Sequence, residues 1–170
     1  MKKRILSLLL ALVLAVSLLP TSAFAADGES NYSDPPKVGW KITKNEKPYT
    51  ESTEADRLPL ATKEENKFKT VKKISFDQND KIIFSVNVDP QYAENTTYEW
   101  HRYMRQWNGT KIDITDFELG ETASTLTMDG IYAGTGKYNR YYCVVSCTIG
   151  GKVYTGRIIF QCTVSAEDPL

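Results

Sequence analysis

The run KIIFSVNVDP puts Ile82, Phe84, Val86 and Val88 at every second position. Alternate side chains of a strand share a face, whereas a helix returns to one face every three or four residues. The run therefore reads as a strand with one buried side, stopped by Asp89-Pro90. The same texture recurs along the chain. Val71, Ile74 and Phe76 precede the turn signal DQND, and TTYEWHRYMRQW and KIDI follow. Leu126 and Met128 alternate in STLTM, and YYCVVSCTI and KVYTGRIIFQCTV complete the series. Beyond residue 25 no stretch carries a helical period of useful length. Short, regularly spaced strands of this kind belong to an all-β domain.

Two dipeptides set expected hairpins. Asn108-Gly109 suits a two-residue type I′ turn, which needs positive φ at both central positions. That turn would set Trp107 opposite Thr110, Arg105 opposite Ile112 and Tyr103 opposite Ile114. A second turn at Gly150-Gly151 sets Tyr154 opposite Cys147, Ile158 opposite Cys143 and Cys162 opposite Asn139.

The N-terminus has a different texture. Lys2-Lys3-Arg4 precedes an apolar run from Ile5 to Leu19, Pro20 and the small-x-small triplet Ala23-Phe24-Ala25. This is the layout of a bacterial-type signal peptide covering residues 1–25, and its apolar run is short for a membrane span of ~20 residues. Lys2, Lys3 and Arg4 are the only charges in it. Its removal turns the balance of 21 basic against 21 acidic residues into a net excess of three acids. A weakly acidic chain without basic blocks argues against nucleic acid or anionic lipid as a main partner. No second apolar stretch of spanning length follows, so a secreted product is expected, retained at the cell surface only if a partner holds it. Residues 26–67 read as a polar leader and linker, with a short strand near residues 38–43 carried by Val38, Trp40 and Ile42. Residues 166–170 read as a tail.

From about residue 68 to 165 the order of features resembles the immunoglobulin-like β-sandwich domains of bacterial secreted and surface proteins. Trp100 takes the place of the tryptophan on strand C, Leu126 and Met128 those of core positions on strand E. Tyr141, two residues before Cys143, matches the tyrosine corner at the start of strand F. Val86 stands where the strand B cysteine usually lies. The resemblance implies an antiparallel sandwich of about seven to nine strands, with Val86, Trp100, Leu126, Tyr141 and Cys143 in the core. There are departures. Lys137 and Asn139 replace the acidic and small residues of the corner between strands E and F, and strand B has no cysteine.

The inter-sheet disulfide of that family therefore cannot form here. Cys143 and Cys147 are four residues apart on one strand, ~13 Å at the strand rise and beyond the ~7 Å limit between bridged Cα atoms. The hairpin register holds Cys162 equally far from Cys143. Three free thiols are expected, behaving as small buried hydrophobes.

Nothing in the chain points to catalysis, a cofactor or a metal. His101, the only histidine, adjoins inward Trp100 and is expected to be exposed on the opposite face, away from the cysteines. Asp113, Asp116, Glu118 and Glu121 match no calcium loop and read as a solvated stretch. The informative feature is a sheet face. Tyr103, Arg105, Trp107, Ile112, Ile114 and Tyr142, joined by Val144, Val153 and Ile159, should point away from Trp100 and gather where strands C, C′, F and G share a sheet. Two outcomes are open for such a patch. It is an interface for a protein partner or a second copy, or residues 38–67 fold over it. A carbohydrate-binding module, stacking a sugar on Trp107 and Tyr103, is the alternative function.

Overall fold

The computed structural model describes residues 34–63, 67–129 and 136–165, with side chains described except at 104–107, 129 and 136–139. The expected signal peptide and C-terminal tail lie outside the described residues. Among the described residues eleven strands follow one another: β1 (Lys37–Lys44), β2 (Lys47–Glu51), β3 (Leu58–Pro59), β4 (Ala61–Thr62), β5 (Lys67–Asp77), β6 (Lys81–Val88), β7 (Thr96–Trp107), β8 (Ile112–Glu118), β9 (Thr125–Asp129), β10 (Gly136–Ile149) and β11 (Lys152–Ser165). Seven of them, β5 to β11, fall in the region from about residue 68 to 165 where seven to nine were expected, and residues 37–62 add four short strands. Helical structure among the described residues is confined to short 3₁₀ turns, at Glu54–Asp56 and Pro90–Asn95 among them. None of the described helices is long and apolar enough to cross a membrane.

The strands form two sheets. The smaller runs β2-β1-β6-β9, with β3 also paired to β1; the larger runs β4-β11-β10-β7-β8, with β5 also paired to β11. Pairing is antiparallel except between β5 and β11. The alternation that opens the chain's pattern explains the core. Ile82, Phe84, Val86 and Val88 are buried, and Trp100, Cys143, Ile158 and Phe160 of the larger sheet are fully buried. Phe84 stacks on Phe160 at 4.4 Å between ring centroids, and Phe160 in turn lies 5.8 Å from Trp100. The Trp100 indole donates to the Ala123 carbonyl at 2.8 Å, so its one polar atom is satisfied inside apolar surroundings.

The expected boundary at residue 68 falls inside the two sheets, since β1 to β4 already pair within them. β1 is an interior strand of the smaller sheet, with Val38 opposite Val88, Trp40 opposite Val86 and Ile42 opposite Phe84. Val38 and Ile42 have no exposed surface. β1, expected as part of a linker, is therefore core, and its pairing on the smaller sheet keeps it off the outer face of the larger one.

The two hairpins fare differently. Around Gly150 and Gly151, both at positive φ (55° and 73°), the register is as expected: Cys147 opposite Tyr154, Cys143 opposite Ile158, Asn139 opposite Cys162. At Asn108-Gly109 it is shifted. Trp107 pairs with Ile112, Arg105 with Ile114 and Tyr103 with Asp116, so the connection has four residues rather than two. Gly109 is at positive φ (92°), but the Asn108 side chain accepts from the Thr110 and Lys111 amides at 3.0 and 2.9 Å. These side-chain bonds, with a backbone bond from the Asn108 amide to the Lys111 carbonyl at 3.1 Å, hold a four-residue turn in place of the two-residue one. Because the shift is two residues, every side chain keeps its face.

Candidate functional site: the outer face of the larger sheet

β7, β10 and β11 lie side by side, so their outward positions form rows. Tyr142 is flanked in register by His101 on β7 and Ile159 on β11. His101 lies nearly parallel to the Tyr142 ring, 4.6 Å away at 8°. Tyr103 stacks on the same ring at 4.8 Å, and the Arg157 guanidinium sits 5.6 Å over it. Tyr142 is on the expected face but is only 2 % exposed. Its neighbours close around it, making it the floor of the site.

The floor is pinned by charge. The Tyr142 hydroxyl donates to Asp116 Oδ2 at 2.5 Å. Burial, together with the adjacent Asp116 carboxylate, pushes the Tyr142 phenol far above its ordinary range, so it stays a hydrogen-bond donor. His101 is held between Glu99 Oε1 at 2.6 Å and Asp116 Oδ1 at 3.4 Å. It is half-buried in a stack, where the sequence led us to expect an exposed residue. The acidic run from Asp113 to Glu118 is strand β8 and not a loop, which is why Asp116 reaches the floor.

Above the floor is an open depression of about 380 Å³, lined by Phe68, Tyr103, Ile114, Arg140, Arg157 and Ile159 around Tyr142. Phe68 is 69 % exposed and Ile114 60 %. Burying such groups on association is worth about 25 cal/mol per Å² of apolar surface. Ile112, also exposed, lies on the same face of β8. The backbones of Arg105 and Trp107 pair with those of Ile114 and Ile112; their side chains lie outside the described residues. Phe68, Arg140 and Arg157 were not among the expected site residues. Arg157 was within reach of the sequence, since the second hairpin's register places it opposite outward Val144. Phe68 was not, because β5 reaches β11 by a parallel pairing that no local pattern announces.

The buried thiols on the other side of the sheet are chemically quiet. Burial pushes Cys143 and Cys162 up to about 12, and all three cysteines are free and buried. A thiol kept protonated in apolar surroundings is a poor nucleophile. Among the described residues no three His, Cys, Asp or Glu side chains gather as a metal site. No protein-family model matches this chain, and no curated protein matches it either.

Proposed function

We propose that this chain is an exported, non-catalytic immunoglobulin-like module that binds a protein partner through the outer face of its larger sheet. The strand order supports the immunoglobulin-like reading: β1, β6 and β9 take the places of strands A, B and E, and β8, β7, β10 and β11 those of C′, C, F and G. β5, added in parallel at the outer edge of β11, is a departure from that plan. Tyr141 lies two residues before Cys143 and packs on Phe84, with ring centroids 6.1 Å apart; the connection before it, residues 130–135, lies outside the described residues.

The observation that carries the binding reading is the exposure of Phe68 and Ile114 on either side of one depression rimmed by Arg140 and Arg157. Exposed apolar residues beside arginines over an aromatic floor have the composition of an interface centre. The glycan alternative gains nothing from the described rings, since Tyr103 lies against Tyr142 instead of standing free as a sugar platform.

The test is capture from the surface extract of the source cells. Immobilised wild type should retain a partner that Ile114→Glu and Phe68→Glu lose and that Thr127→Glu, an exposed change on the other sheet, keeps. A partner retained equally by all four proteins overturns the reading.

A further inference from the structure

The two edges of the larger sheet differ in charge and direction. One edge is β8, IDITDFE, which carries Asp113, Asp116 and Glu118 and no basic residue. The other is β5, KFKTVKKISFD, with Lys67, Lys69, Lys72 and Lys73 against the single Asp77. β5 pairs with β11 on one side only among the described residues. Lys69, Thr70, Lys72 and Lys73 line a second open depression, about 460 Å³, together with Glu51 and Asp56, and Lys69 pairs with Asp56 at 3.8 Å. β8 likewise pairs only with β7 among the described residues.

Unpaired strand edges are templates for another strand, and charge decides which one. Two β8 edges would set carboxylates against carboxylates, and two β5 edges ammonium groups against ammonium groups. Only β8 against β5 is complementary. The directions agree as well. β8 runs with β10, since both are antiparallel to β7, whereas β5 runs with β11, antiparallel to β10. A second copy displaced sideways along the sheet, without being turned over, thus brings its β5 antiparallel to the first copy's β8. The outer faces then stay on one side.

We infer that this chain associates with itself edge to edge, β8 of one copy adding to β5 of the next. Such a contact joins two different surfaces, so each added copy leaves one edge of either kind exposed and growth continues past the dimer. The contact is short, which places it among weak interfaces.

Charge swapping tests this on the full mature chain. Sedimentation of wild type from about 10 µM to about 1 mM should show a mean mass that rises past the dimer and falls with added salt. Asp113→Lys/Glu118→Lys and, separately, Lys67→Glu/Lys72→Glu should each associate at least about tenfold more weakly, because like charges then face each other. An equal mixture of the two double variants should recover association, since each supplies the edge the other needs. Unchanged melting curves of the separate variants verify that they are folded. Wild type that stays monomeric throughout, variants that associate like wild type, or folded variants whose mixture stays monomeric would each overturn the inference.

Discussion

Phe84 of β6 lies on Phe160 of β11 with centroids 4.4 Å apart and planes tilted by 21°. The contact joins the two sheets. Here the neighbouring cysteines are free, and apolar packing alone carries the join. Truncating Phe84 or Trp100 to alanine should cost about 3–5 kcal/mol each, read from urea unfolding midpoints. Added reductant should leave the wild-type midpoint where it is.

Acid stability should depend on Asp80. Burial by itself would raise this carboxyl, yet the Lys44 ammonium at 2.6 Å, the Asp77 amide at 2.7 Å and Asn45 Nδ2 at 2.7 Å outweigh it and hold Asp80 below the usual carboxylate range. A depressed folded value means that the unfolded chain takes up the proton first. The contribution is therefore complete above the unfolded value of about 4 and is lost as pH falls through the folded one. Asp80→Asn should be less stable than wild type at neutral pH, and the gap should narrow on acidification to about pH 2. A constant gap across that range would show that Asp80 acts by shape alone.

The β1–β2 hairpin turns through Asn45 and Glu46, at φ of 50° and 65°. Asn45 tolerates that conformation and anchors the turn by accepting from the Lys81 amide at 2.9 Å. Glu46 has no such excuse, and its ion pair with Lys81 is exposed and 3.9 Å long. Glu46→Gly should stabilise the domain by about 0.5–1 kcal/mol, and Glu46→Val should destabilise it. Paired thermal melts would measure both.

Removing residues 1–66 deletes β1 to β4, uncovers the β6 edge and takes Val38, Ile42, Leu58 and Leu60 out of the core. The shortened chain should lose the dispersed amide spectrum of a folded sheet protein. A truncated domain that folds cooperatively would contradict the central place of β1.

Much of this was legible locally. Period-two alternation marks the strands, and Gly150-Gly151 sets the β10–β11 register to the residue because both positions need positive φ. Other features rest on distant partners. Val38, Trp40 and Ile42 announce a strand but not that it pairs with β6. The polar edge strand β2 looks like linker because an edge needs little apolar surface, and β3 and β4 are too short for their buried Leu58 and Ala61 to show a period. Asn108 misleads for a different reason, its side chain capping two amides where the dipeptide suggests a two-residue turn. In the site, the outward direction of Tyr103, Ile114 and Tyr142 follows from parity. The burial of Tyr142 does not, since it depends on His101, Tyr103 and Arg157 converging from neighbouring strands.

The most direct measurement is site-specific photo-crosslinking of the full chain in extract of the source cells' surface. A photoreactive residue at position 114 should yield a discrete heavier product that the same residue at position 127 does not. Equal crosslinking from both positions, or none from position 114, would contradict a contact surface on the outer face of the larger sheet.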